Sequence, residues 1–255
     1  MTVDLTDAQR DTVRGALARL DLRAGGAVAD NLFYTVGLIR ICGGVEDAAA
    51  VDRGGAGKVH RHGQRRAEAT IAPFRQWMVD GADSAATRAS IAPIVTMHGH
   101  YGASYAMSNR TFVRATALFT ILFDEILAAV GIRGYFSDAE KAAFVAHWRS
   151  IGTQMGASDL PETWAGMRAA NAAYEADPTV FRLTDSSARC AEALTDQFIA
   201  RWLPRPLWPL GRLVLNSLQP DHVLAATGLR RPPRLARTVA RTAVGLFVRT
   251  QLRGR

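Results

Sequence analysis

Apolar side chains return every third or fourth residue along nearly all of this 255-residue chain, the period of helices buried on one face. Runs of alternating β-branched residues and hairpin turn pairs are missing, so the pattern predicts an all-α protein. The expected architecture is a single multi-helix domain of about ten helices. Local signals set the ends. Thr6-Asp7-Ala8-Gln9 and Ser137-Asp138-Ala139-Glu140 are capping boxes, in which the hydroxyl and the side chain three residues on satisfy each other's backbone N–H groups. They predict helices over 6–22 and 138–155. The spacing predicts further helices over 27–41, with Leu32, Val36 and Ile39 on one stripe, and over 62–79, 84–105 and 109–130. Gly43-Gly44, Asp80-Gly81 and Gly131 supply the stops. Gly37 is a poor residue inside a helix, and Pro93 predicts an interruption. Residues 45–60, with Gly54, Gly55 and Gly57, read as a loop. Downstream, Pro161 opens a helix that ends before Asp177-Pro178, and Thr184 caps another that ends at Leu203-Pro204. Shorter segments follow over 205–218, 220–227 and 234–253.

Composition excludes several function classes. At 48% hydrophobic and 21% charged the chain is that of a packed globular protein. Cys42 and Cys190 form no CxxC pair, no zinc-ligand spacing and no CxxCH, which excludes a disulfide framework and covalent c-type haem. So few cysteines suit a reducing compartment, and the polar start MTVDLTDAQR lacks a secretory pattern; the expectation is a cytoplasmic protein. The most apolar long run, 112–130, carries Arg114, Asp124 and Glu125 and reads as a buried core helix rather than a membrane span.

The net charge of +8 is local. Eight arginines and no acid lie in 229–255, and the remaining 23 Lys and Arg balance 23 Asp and Glu. A balanced body argues against nucleic acid as a partner. The expected division is therefore 1–233 as the helical domain and 234–255 as a basic amphipathic helix, part of that domain or appended to it. At 100° per residue Arg234, Arg237, Arg241, Arg249 and Arg253 share one arc, with Val239, Ala243, Leu246 and Phe247 opposite. That pattern suits peripheral contact with an anionic membrane, or a terminal helix that packs its apolar stripe on the body and leaves its arginines in water.

Candidate chemistry centres on the histidines. His98 sits in an apolar helix beside Ile94, Val95 and Met97, and shares a face with Tyr101. His100 lies about 200° round from it, so one metal would not take both. His98 reads either as a core histidine bonded to a carbonyl or hydroxyl, or as a neutral imidazole that binds a metal or haem iron. Arg66 and Thr70 share a face of the preceding helix, with Ala69 beside them. If the two helices form an antiparallel hairpin about Gly81–Ser84, Arg66, Thr70 and His98 line one cavity. His147, Trp148 and Met155 read as core residues, and Gly152, one turn after Trp148, would let a helix or a flat ligand approach closely.

An arginine with threonine four residues on (Arg66, Thr70), then His98-x-x-Tyr101 in an apolar helix, resembles the MpaB and latex-clearing-protein family of oxygenases. So do Arg133, Ser137 and Glu140, the run from Trp148 to Gly156, Leu160-Pro161, Tyr174-Glu175 and the closing Leu229-Arg230-Arg231-Pro232-Pro233. The resemblance covers about 28–232. It implies a globin-like helical core with extra helices and a non-covalent haem b. Rubber-cleaving members use O2 to cleave carbon–carbon double bonds, and fungal members cleave a prenyl chain in polyketide biosynthesis. By position it implies His98 as the iron ligand and Arg66 and Thr70 on the opposite side. The lysine of rubber oxygenases falls on Ala69, and their upstream acid falls near Ala50, with Glu46, Asp47 and Asp52 close by. An apolar slot from Phe74, Ile94, Met97, Phe119, Leu122 and Phe123, with Arg66 or Arg88 for the propionates, would suit haem. The expected function is a haem-dependent oxygenase that uses O2 on an apolar isoprenoid- or polyketide-like molecule. The competing readings are a helical lipid-binding or scaffolding protein without haem, and a non-haem metal enzyme pairing His98 with a carboxylate.

Overall fold

A computed structural model describes residues 5–20 and 26–252, with the side chain of Ala103 left out. These residues form thirteen α-helices, one 310 turn and an isolated bridge between Gly44 and Phe181. The helices are α1 (Asp7–Leu20), α2 (Gly26–Ile41), α3 (Val45–Asp52), α4 (Lys58–Arg61), α5 (Gly63–Asp80), α6 (Ala85–Tyr105) and α7 (Asn109–Ala129). They continue with α8 (Asp138–Gln154), α9 (Trp164–Ala176), α10 (Asp185–Trp202), α11 (Trp208–Leu218), α12 (Asp221–Thr227) and α13 (Arg234–Gln251). The protein is all-α, with a few more helices than the spacing predicts. The surplus is α3 and α4, which occupy the stretch read as a loop. Its glycines lie between these two helices, and Arg53 ends α3 in the left-handed region at φ 48°.

Both capping boxes form. The Thr6 N–H donates to Gln9 and the Gln9 N–H to Thr6 (2.9 and 3.2 Å); Ser137 and Glu140 make the same exchange (2.8 and 3.3 Å). Ser84 accepts from the Thr87 N–H at 3.0 Å and starts α6, which then runs through Pro93 without a break. Proline costs one helical hydrogen bond and a local bend, which this helix accommodates. The helix expected from Pro161 begins three residues later, at Trp164, because Thr163 supplies the capping hydroxyl.

Helix α7 is the central strut, with α2, α8 and α9 packed around it. Two glycines permit the close crossings. A Cβ on Gly37 would lie 2.7 Å from Leu122, and one on Gly152 would lie 2.5 Å from the Thr116 hydroxyl. Gly37 therefore trades helix propensity for contact with α7, and Gly152 serves helix packing.

A charge cluster joins the far side of α7 to its neighbours. Arg40 of α2 donates to both Glu175 oxygens (2.6 and 2.8 Å) and also to Glu125. Arg114 of α7, only 1% exposed, donates to the Arg40 carbonyl at 2.6 Å and to Glu175 at 3.2 Å. His222 of α12 sits 2.8 Å from the second Glu175 oxygen. Burial opposes ionisation of Glu175, yet the hydrogen bonds from His222 and Arg40 prevail and hold its carboxyl well below the ordinary 4.5. A carboxylate with a depressed folded-state pKa contributes stability fully above its unfolded value, and that contribution fades as pH falls through the folded one. Glu175→Ala should cost about 3–5 kcal/mol in urea unfolding at pH 7, because buried Arg114 loses its hydrogen-bonded anion and Arg40 keeps only Glu125. The gap between variant and wild type should narrow as pH is lowered below 4.5.

Candidate active site

Helices α5 and α6 form an antiparallel hairpin whose turn is fixed by Gly81 at φ 91° and by the Thr87 hydroxyl, which donates 2.8 Å to the Gly81 carbonyl. Arg10 reaches across from α1 and donates to Asp83 in the same turn. The hairpin brings Arg66, Ala69 and Thr70 opposite His98, and all four line a cavity of about 720 Å3 closed by α3, α7 and α8. That volume lies within the ~300–1,000 Å3 of small-molecule and cofactor sites. Its walls are apolar: Phe74, Ile94, Met97, Phe112, Phe119 and Trp148. Four cations, Arg53, Lys58, Arg65 and Arg66, come from the end of α3, from α4 and from the first turn of α5.

His98 is half-buried, and its ring lies 5.6 Å from that of Phe112. Its Nδ1 is buried with no hydrogen-bond partner among the described residues, so the expected bond of an ordinary core histidine is not made. Burial pushes the imidazole pKa below 6.5, which keeps the ring neutral with a free lone pair. His100 is exposed and does not line the cavity, as its position round the helix requires. Arg66 donates 2.5 Å to the Tyr34 hydroxyl, and Thr70 donates 3.0 Å back to the Arg66 carbonyl. Arg53 donates 2.9 Å to Tyr101 and sits over its ring, which ties α6 to the end of α3.

Three expectations need correction. Arg88 does not line the cavity; it lies ten residues, or about 15 Å, before His98 on α6 and donates to the Asp83 carbonyl at the helix start. Leu122 does not line the cavity and packs against Gly37 of α2 instead. Phe123 belongs to a second apolar compartment of about 350 Å3, where it stacks on Phe33 at 4.0 Å. That compartment and the larger cavity share Leu38, Thr70, Phe74, Phe119 and Trp148 as walls.

Of the three acids near the expected position of the family's upstream acid, Glu46, Asp47 and Asp52, Asp47 alone lines the cavity. It is 5% exposed and has an Oδ2 without a hydrogen-bond partner among the described residues. Burial raises its pKa to about 7, opposed in part by the charge of Arg114. Arg114 turns its Nη1 toward Asp47 but stands 3.8 Å away, an ion pair without a hydrogen bond, while its Nη2 bonds Glu175 and the Arg40 carbonyl. The signal was present as Glu46-Asp47 directly after Gly43-Gly44: acids in the first turn of a helix that was read as a loop.

No acidic, histidine or cysteine side chain joins His98 in a metal-ligand group among the described residues. Asp52, His60 and Cys190 do approach one another within 4.8 Å. Both Asp52 oxygens are already engaged: Arg189 at 2.7 Å, His60 at 2.8 Å and Ser186 at 3.0 Å. The bond from Arg189, against some burial, holds the Asp52 pKa down to about 2. That group is an ion-pair knot between α3, α4 and α10.

The cavity, with the unpartnered His98 Nδ1 on its wall, thus lies within an all-α domain. Residues 34–250 match the family described as ER-bound oxygenase mpaB/B'/Rubber oxygenase, catalytic domain, and the chain belongs to that family. A search of curated proteins returns no match.

The raised Asp47 pKa makes a prediction opposite in sign to that for Glu175. Between 3.8 and about 7 the folded protein holds a proton on Asp47 that the unfolded chain has lost, so this group weakens the fold as pH rises through that window. Asp47→Asn should match wild type in chemical denaturation at low pH and exceed it above pH 7. Equal pH profiles for the two proteins would contradict the assignment.

Proposed function

We propose that the protein is a haem b-dependent oxygenase acting with O2 on an apolar small molecule of isoprenoid or polyketide type. The observation that carries this reading is the neutral His98 imidazole, free of hydrogen bonds, facing an apolar cavity with cations supplied from one side. The residues present suit haem. His98 would hold the iron, and Arg66 with Arg53, Lys58 and Arg65 would meet the propionates. The aromatic walls would cover the macrocycle and exclude water. Haem, when bound, supplies iron for the activation of O2.

The other steps belong to the chain's own side chains. Arg66, held by Tyr34, is placed to orient a polar ligand on the Thr70 side of the cavity. Ala69 puts only a methyl group there, where rubber oxygenases have a lysine. Asp47 is poised at neutral pH to hold or release a proton at its unpaired Oδ2. The adjoining compartment around Phe33 and Phe123 gives an apolar substrate a dry place beside the cofactor.

Protein expressed with a haem supply should show a Soret band at about one haem per chain. His98→Ala should abolish it and His100→Ala should keep it. The wild-type spectrum should be five-coordinate or water-ligated, and Ala69→Lys should shift it to six-coordinate low spin. Wild-type protein without Soret absorption would overturn the haem reading, and retention of an apolar ligand by that protein would favour the lipid-binding alternative.

A further inference from the structure

Helix α13 is set on the body the reverse way round from a helix that buries its apolar stripe. Its arginines turn inward. Arg237 donates to the Gln219 carbonyl and pairs with Asp221. Arg241 Nε donates 2.6 Å to the Ser217 carbonyl, and Arg249 donates 2.8 Å to that of Gly131. Ala240 and Gly245 complete the buried side, where a Cβ on Gly245 would lie 2.2 Å from the Val130 carbonyl oxygen. The strong stripe therefore points out. Leu235, Val239, Leu246 and Phe247 are 77, 60, 56 and 52% exposed. At 100° per residue they span an arc of about 120°, and from first to last a length of about 18 Å.

The occupant of such a face is constrained by charge. Residues 229–255 hold eight arginines and no acid. Arg249, exposed in the last turn, lies about 40° round from Leu235 at the edge of the stripe and keeps its charge while one nitrogen bonds the Gly131 carbonyl. A second copy docked about a two-fold axis would place this arginine surplus against itself. A lipid surface with anionic headgroups offers the opposite sign, with an apolar layer directly beneath. No helix among the described residues is long and apolar enough to cross a membrane, so the contact would be one of a helix lying in the surface.

We propose that α13 docks this protein on anionic membrane surfaces, with Leu235, Val239, Leu246 and Phe247 entering the headgroup boundary and the exposed Arg249 beside them meeting a lipid phosphate. The docking is independent of the group that the cavity holds. Its use would be to collect an apolar ligand from the phase into which that ligand partitions.

The test is cosedimentation of the full chain with phosphatidylcholine vesicles, with and without phosphatidylglycerol. Wild type should pellet with the anionic vesicles. The variant Leu235→Ser/Val239→Ser/Leu246→Ser/Phe247→Ser should bind about tenfold or more weakly at unchanged helical circular dichroism. Leu246→Glu/Phe247→Glu provides a second variant should the first fold poorly, and it should show the same loss. No pelleting of wild type, or equal pelleting of both variants, overturns the proposal. Equal binding to neutral vesicles overturns its electrostatic half. A dimer by light scattering that the variants abolish, without vesicle binding, would assign the face to a second copy.

Discussion

Arg114 is a guanidinium group enclosed in the middle of a helical domain, and much of the architecture is arranged around its charge. A buried charge without a partner costs several kcal/mol, so its neighbours must bring acceptors. Glu175 comes from α9, the Arg40 carbonyl from α2, and the rings of Tyr174 and Phe181 stack on its faces at 5.2 and 5.5 Å. Glu175 in turn draws in Arg40 and His222. Four helices are thereby fixed in relative position by groups that tolerate little displacement, since a shift of an ångström would break charged hydrogen bonds in a low dielectric.

The same commitment shapes the candidate site. Arg114 is held by its Nη2 on Glu175 and the Arg40 carbonyl, and in that position its Nη1 stands 3.8 Å from Asp47, too far for a hydrogen bond. Asp47 is left on the cavity wall with burial outweighing its ion pair. The structural network and the titratable group are thus two consequences of one arrangement. Across the cavity His98 is in a comparable condition, a polar group with its partner withheld. A buried polar atom without a partner in the fold is one that a ligand can satisfy. Two of them face one apolar space in a chain of the mpaB and rubber oxygenase family.

The two faces of α6 show why such a site needs rigid support elsewhere. Beyond Thr87 in its first turn, Ile91 is the one buried side chain on this helix among the described residues, because its inner side faces the cavity. Its position is held at the ends: by the Ser84 cap and the Thr87 bond at the turn, and by the Arg53–Tyr101 contact near its last turn. A helix fixed at its ends can present His98 across an apolar space without filling that space.

Helix boundaries were legible in the sequence because capping is a local event. Thr6, Ser84, Ser137 and Thr184 each bond within three residues, and the glycine stops act on their own backbone. Periodicity likewise fixed the all-α class and placed Arg66, Thr70 and His98 on facing helices, since i and i+4 neighbours share a face in any helix. The charge cluster was beyond reach. Arg40, Arg114, Glu175 and His222 are separated by tens of residues, and no periodicity links them. Neither Arg88, turned back to the Asp83 carbonyl, nor Asp47, hidden in a stretch that glycines made loop-like, could be placed by local rules. The amphipathic pattern of 234–251 was plain, but a pattern has no inside or outside. The carbonyls of Ser217, Gln219 and Gly131 drew the arginines inward, and that long-range hydrogen bonding decided which side of α13 meets the surroundings.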